Sequence, residues 1–125
     1  MWYEKYLDMP YVPVDGDCMA LAELVAKEHL GVDVNAPPHE VGLRAQARQI
    51  AHYKDSLAER TDTPKDGYPV LFSCRNRFFH IGVYVYLNYE PWILHSDERL
   101  GKVVITPLRQ MSIQGYELEG FYKWI

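Results

Sequence analysis

The stretch RFFHIGVYVYL, residues 77–87, decides the fold. It is rich in aromatic and β-branched residues, which favour a β-strand. Alternation gives this strand two different faces. One face carries His80, Gly82, Tyr84 and Tyr86, and the other carries Phe79, Ile81, Val83 and Val85. The second face is apolar and is predicted to be core. The first is amphipathic, and Gly82 leaves space beside His80 for another backbone or a ligand.

Further strands are predicted on both sides of this one. They are YPVLFSC (68–74), WILHS (92–96), KVVITPL (102–108) and ELEGFYKWI (117–125). NYEP (88–91) is a turn. If 77–87 and 92–96 form a hairpin, pairing 87 with 92 places Tyr84 opposite His95. A tighter turn at Leu87–Asn88 places His80 itself opposite His95. Both registers put the two histidines on one face, because only a shift by one residue exchanges the faces.

The first half of the chain reads as helical. One helix is predicted over Cys18–Leu30, with Asp15 and Asp17 at its entrance and Gly31 at its exit. Its apolar face consists of Cys18, Leu21, Ala22 and Val25, so the Cys18 thiol points inward.

A second helix is predicted to begin within residues 35–60, after Pro37 and Pro38. Its apolar stripe consists of Leu43, Ala47, Ile50 and Leu57, and residues 61–67 form a loop rich in turn formers. Helices followed by antiparallel strands predict an α+β fold, with helices on one face of a twisted, mostly antiparallel sheet. The 125 residues suit one domain, 1–125.

Composition excludes several classes of protein. The net charge is −4 and no basic cluster is present, which argues against electrostatic capture of nucleic acid or of an anionic membrane. No apolar run is long enough to span a bilayer, and no signal peptide is apparent at the start. We therefore expect synthesis in a cytoplasm, where Cys18 and Cys74 stay free thiols.

The five histidines fall into two groups. His29, His39 and His52 are interpreted as surface or helix-end residues, and their spacing is no metal signature; no cofactor is expected. His80 and His95 are predicted to share a sheet face, within reach of an inward cysteine at a helix N-terminus. Each residue taken alone is compatible with a structural role in the core.

Together, these residues are the parts of a cysteine-nucleophile site. A helix N-terminus stabilises a thiolate, an imidazole accepts the thiol proton, and a third polar group orients that imidazole. A carboxylate beside the thiol would raise the thiol pKa, unless Asp17 turns away to cap the helix.

The segments GDCMALAELV, YPVLFSC, HIGVYV and WILHSD resemble the NlpC-type murein cysteine peptidases, which are compact papain-like enzymes. The resemblance runs from about Tyr11 to the C-terminus. The segments LGVDVNAP and GFYKWI also resemble versions encoded with phage tail genes. These lack a secretion signal and are built into or onto the tail tip.

The resemblance implies a role for each site residue. Cys18 is the nucleophile, His80 the general base within hydrogen-bond reach of Cys18, and His95 the orienting third residue. Tyr11, Asp17 and Gly82 are implied on the substrate side, with the Cys18 backbone N–H in the oxyanion hole. Cys18 is then expected to react with iodoacetamide faster than Cys74. The separation of His80 and His95 is longer than the family pattern, which predicts a longer turn or a bulge.

The expected function is hydrolysis of a peptide bond in murein stem peptides by a phage tail protein, during wall penetration or tail assembly. Its expected partners are the stem peptide and other tail-tip proteins. A second interpretation is a catalytically silent tail-tip structural or assembly protein with the same fold. A third is a cellular amidase or acyltransferase that acts on another substrate.

Overall fold

The structure is a computed structural model that describes residues 1–13, 17–34, 56–74 and 78–125. Helix α1 spans Cys18–Val25 and continues as a π-helical turn over Ala26–Leu30, and a short helix α2 spans Leu108–Met111. Single 3₁₀ turns cover Glu4–Tyr6 and Ser112–Gln114. The strands are β1 (Ala58–Arg60), β2 (Pro69–Cys74), β3 (Phe78–Leu87), β4 (Glu90–Asp97), β5 (Lys102–Pro107) and β6 (Tyr116–Trp124).

The described strands form one antiparallel sheet in the order β1-β6-β2-β3-β4-β5. The chain is therefore mixed α+β, as the sequence predicted. Its central strand is β3, which pairs with β2 on one side and with β4 on the other.

The first helix lies where the sequence placed it. Asp17 is its N-cap, because Asp17 Oδ1 accepts a hydrogen bond of 2.8 Å from the Ala20 N–H. Gly31 ends the helix with a φ of 69°, a conformation that glycine adopts without steric cost. The four residues of the predicted apolar face are all buried, so the inward direction of Cys18 is confirmed.

Apolar clusters cover both faces of the sheet. One cluster packs α1 against Ile81, Val83 and Val85 of β3. On the opposite face, Tyr84 belongs to a second cluster, which includes Phe72, Ile93, Met111 and Tyr116. His80 and Tyr84, on the face of β3 that the sequence left amphipathic, are therefore buried as well, whereas Tyr86 on the same face is exposed.

The register of the β3–β4 hairpin lies between the two that the sequence predicted. Asn88 and Tyr89 form a two-residue turn with φ values of 53° and 64°, as type I′ hairpin turns require. Leu87 pairs with Glu90, so neither predicted register is correct, and the expected longer turn or bulge is replaced by longer strands. The register still differs from both predictions by an even number of residues, which keeps His80 and His95 on one face.

The end of the predicted second helix is wrong. Ala58–Arg60 is the edge strand β1, which pairs with Tyr122–Trp124 of β6. Arg60 is fixed there by an ion pair of 3.1 Å with Glu119 and by its position over the Tyr122 ring. These tertiary contacts override the local helix propensity of the segment. Leu57 packs partly buried against the first cluster, whereas Leu43, Ala47 and Ile50 lie outside the described residues.

Gly82 has a packing role in place of the predicted opening for a ligand. A Cβ atom at Gly82 would overlap Ile93 Cγ2 and would lie 3.5 Å from Phe72 Cε2. The neighbouring Ile93 side chain therefore occupies the space that the sequence assigned to substrate.

The substitution Gly82→Ala should lower the free energy of unfolding by about 1–3 kcal/mol, because the new methyl overlaps a fully buried side chain. Urea denaturation measures this cost. In an Ile93→Ala background the same substitution should cost less. An equal cost in both backgrounds would mean that Ile93 is not the group that excludes a side chain at Gly82.

Candidate active site

The Cys18 thiol lies against strand β3, one peptide unit from His80. Backbone groups of Ile81, Met19 and Cys18 favour the thiolate and oppose the rise of the Cys18 pKa, which identifies them as N–H groups close to the sulfur. The Ile81 N–H is available because the β3–β4 pairing ends at Val83 and Leu94, ahead of this residue. The start of α1 therefore docks where the two strands separate.

Burial keeps this thiol neutral in the resting protein. Cys18 is 6% exposed, and desolvation raises its pKa to about 12 against the opposing effect of the N–H donors. Asp17 caps the helix, yet its charge also raises the Cys18 pKa. For this thiol to act as a nucleophile, a base would have to remove its proton as the sulfur attacks.

His80 and His95 meet across the same gap between β3 and β4. His80 Nε2 lies 2.9 Å from His95 Nδ1, and His95 Nε2 lies 3.4 Å from Thr106 Oγ1 on β5. The predicted common face of the two histidines is confirmed. Together they form a chain of polar groups through the buried side of the sheet.

Both imidazoles are held in the neutral form. Burial, followed by the charges of His95 and Arg99, holds the pKa of His80 well below 6.5. Burial lowers the pKa of His95 to about 4, with Asp97 opposing this shift and Arg99 adding to it. At neutral pH each ring therefore has one nitrogen that can accept a proton.

Two arrangements of protons satisfy this hydrogen-bonded chain. In one, His80 Nε2–H donates to His95, and His95 Nε2–H donates to Thr106. In the other, all donors and acceptors are reversed. Only the first leaves a lone pair on His80 Nδ1, the nitrogen that a general base would use.

The structure places the Cys18 thiol and the His80 ring against opposite faces of the sheet, with no direct bond between them. None of the hydrogen bonds within residues 1–13, 17–34, 56–74 and 78–125 joins the thiol to an imidazole. Cys18 packs with the first cluster, whereas the His80 ring stacks on Tyr116 of the second, with centroids 4.4 Å apart. The expected Cys18–His80 hydrogen bond is therefore not made in the resting state.

Sequence reasoning missed the residues that cover the histidine pair. Tyr116 stacks on His80, and Arg99 lies over Tyr116, with Cζ 5.0 Å from the ring centroid. Arg99 follows β4 directly, and Asp97 Oδ1 accepts a bond of 2.9 Å from its backbone N–H. The feature of the sequence that could have pointed to Arg99 is its position four residues after His95.

The remaining predicted residues have mixed outcomes. Tyr11 is partly buried, and its backbone N–H donates to Gly101 O in the β4–β5 turn; its place beside the substrate stays a prediction. His29 is an exposed helix-end residue, as predicted, and stacks on Trp2. His39 and His52 lie outside the described residues. Cys74 ends β2 as a free, partly buried thiol.

The structure reverses the expected order of cysteine reactivity. In the native protein Cys74 should react with iodoacetamide faster than Cys18, because Cys18 is almost inaccessible and its pKa is about 12. Peptide mapping by mass spectrometry after a timed reaction at pH 8 measures both rates. Urea should bring the rates together. A faster Cys18 in the native protein would show that the site opens more often than its burial indicates.

Neither a metal-binding cluster nor a membrane-spanning helix is present in residues 1–13, 17–34, 56–74 and 78–125. No group of three or more His, Cys, Asp or Glu side chains in these ranges is arranged to hold a metal ion. None of the helices in the same ranges is both long and apolar enough to cross a bilayer.

In comparisons with known proteins, no family model, no curated protein and no solved structure matches this chain.

Proposed function

We propose that this chain is a cysteine peptidase of the NlpC type, a single papain-like domain that hydrolyses peptide bonds in murein stem peptides. One observation carries the proposal. A cysteine at a capped helix N-terminus lies against the backbone N–H of Ile81, the residue that follows His80, and the His80 ring is hydrogen-bonded to His95. The resemblance to tail-encoded relatives supports a setting in a phage tail, with other tail-tip proteins as partners.

The proposed reaction starts from a neutral thiol and a neutral imidazole. His80 Nδ1 takes the proton from Cys18 Sγ while the sulfur attacks the peptide carbonyl carbon. The carbonyl π electrons move to oxygen, and the Cys18 N–H with a neighbouring N–H stabilises the oxyanion. When the oxyanion collapses, the C–N bond breaks, and the imidazolium gives its proton to the leaving amine.

Water completes the cycle. His80 takes a proton from the water, whose oxygen attacks the thioester carbon. The C–S bond then breaks and the leaving sulfur takes the proton back from the His80 imidazolium, which restores the thiol and releases the carboxylic acid product. When His80 Nε2–H donates to His95 Nδ1, the His80 ring exposes Nδ1 as the base, and Thr106 Oγ1 accepts the hydrogen bond from His95 Nε2–H. Substrate binding has to bring the His80 ring and the Cys18 thiol into direct contact, which the resting structure lacks.

The direct test is cleavage of isolated murein stem peptides by the purified protein. Release of a new amine that depends on Cys18 supports the proposal. The absence of cleavage by the unmodified protein would overturn it.

A second candidate is a catalytically silent structural or assembly protein of the tail tip. The burial of Cys18, with its raised pKa and without a bond to His80, favours this candidate specifically. In that case the His80–His95 pair is a structural link between β3 and β4. Cys18 and Cys74 would then both be dispensable for the biological role.

A further inference from the structure

Arg99 places a positive charge beside the proposed catalytic pair. Its guanidinium lies over the Tyr116 ring, and that ring stacks on His80. The Arg99 charge contributes to the lowered pKa of both His80 and His95. The cation therefore lies within electrostatic range of the group that would act as general base.

The guanidinium is positioned by its neighbours and still has donors to offer. Nη2 donates to Gln114 O at 2.9 Å, and Nε faces Asp97 Oδ1 at 3.7 Å. The nearby Tyr116 hydroxyl also favours the charged form of Arg99 and so raises its pKa. Guanidinium has five N–H groups, so at least two have no partner among the residues that the structure describes. The side chain is 55% exposed, which leaves these donors open to solvent.

We propose that Arg99 binds a free carboxylate of the substrate peptide, close to the scissile bond. The inference rests on the proposed peptidase function and identifies the chemical group that the proposed active site selects in its substrate. A planar guanidinium held over an aromatic ring offers charged N–H donors that suit a carboxylate. Murein stem peptides carry such a group, because a γ-linked D-glutamate leaves its α-carboxylate free. Arg99 is thus a specificity-determining residue.

Binding to the Cys18→Ala protein tests this without catalysis. The probes are the stem tetrapeptide L-Ala-γ-D-Glu-L-Lys-D-Ala and the same peptide with the glutamate α-carboxylate amidated. Calorimetry should show that the carboxylate peptide binds roughly tenfold more tightly, as for a charge-assisted hydrogen bond. Adding Arg99→Gln should remove the preference.

Arg109→Gln is the matched control, because Arg109 is an exposed arginine paired at 3.0 Å with Glu90, away from the histidines. It should leave the preference intact. Equal affinity for the two peptides in the presence of Arg99, or no measurable binding of either, would overturn the inference.

Alkylation of Cys74 provides a readout that does not depend on any peptide. Cys74 pairs with Tyr116 across β2 and β6, and the charge of Cys74 contributes to the raised pKa of Arg99. If Arg99 binds carboxylates, it should therefore raise the rate at which anionic iodoacetate alkylates Cys74, relative to the rate for neutral iodoacetamide. Arg99→Gln should lower this rate ratio several-fold, and Arg109→Gln should not.

The two readouts separate this inference from the proposed function. If the protein cleaves both peptides equally and Arg99→Gln changes neither binding nor the alkylation ratio, the carboxylate site is wrong and the peptidase stands. If no peptide is cleaved but the carboxylate preference and the alkylation ratio both depend on Arg99, the peptidase is wrong and the carboxylate site stands.

Discussion

Cys18→Ala should abolish cleavage of murein stem peptides, lowering kcat/KM by at least about 10⁴-fold, while the protein stays folded. A methyl group cannot form the thioester. The His80–His95 pair and the N–H donors alone can only assist attack by water. The loss should appear in kcat, because the thiol contributes little to binding the peptide. Release of new amines from purified stem peptides measures it.

The stability of the same variant makes this result interpretable. Cys18→Ala removes one buried sulfur atom at the edge of the first cluster, with an expected cost on the order of 1 kcal/mol. Cys74→Ala is the matched control and should retain full cleavage, since Cys74 has no part in the proposed reaction. A Cys74→Ala protein that is folded but inactive would contradict the assignment of Cys18 as the nucleophile.

Infection separates the peptidase from the structural candidate. A phage carrying Cys18→Ala should assemble normal tails and penetrate an intact wall poorly if the chemistry is needed. A structural or assembly protein predicts that the same phage infects like wild type. Normal infection, together with no cleavage by the unmodified protein, would end the peptidase proposal and leave the silent tail-tip protein.

The positions of the two histidines could be predicted because alternation in β3 is strict. Side chains two residues apart share a face, so any register compatible with the burial of Ile81, Val83 and Val85 puts His80 and His95 together. The helix at Cys18 was equally accessible, since both of its termini carry local signals, Asp17 and Gly31. These features depend only on short-range rules.

Features that depend on tertiary contacts could not be predicted. The strand Ala58–Arg60 forms because its backbone pairs with the edge of β6 and because Arg60 forms an ion pair with Glu119. The cover of Tyr116 and Arg99 over His80 joins residues that come from two separate elements. Likewise, the burial of Cys18 depends on how α1 docks on β3. The sequence can indicate Cys18 as a candidate nucleophile, whereas the accessibility of its thiol follows from packing.

The buried histidine pair should also make the protein sensitive to acid. The pKa of His95 falls from an unfolded value near 6.5 to about 4 in the folded protein, and that of His80 is lowered in the same direction. At a pH between the folded and unfolded pKa values, the unfolded chain therefore binds more protons than the folded chain. The contribution of the two neutral imidazoles to the free energy of unfolding is fully present above pH 6.5. It falls as the pH drops below 6.5 and is gone once the pH is below the folded-state pKa.

His95 alone should lower the free energy of unfolding by about 3 kcal/mol between pH 7 and pH 4. His80 adds to this loss, because Arg99 and the partner imidazole oppose its protonation as well. Asp97 acts in the other direction on His95 and limits the effect. Urea denaturation at several pH values between 4 and 7.5 measures the slope.

His95→Gln, which cannot take up a proton, should be less stable at pH 7.5 yet show a flatter dependence on pH. His29→Gln is the control, since His29 is exposed, and should keep the full slope. If His95→Gln loses stability with pH as steeply as the unmodified protein, the buried pair is not what limits folding in acid.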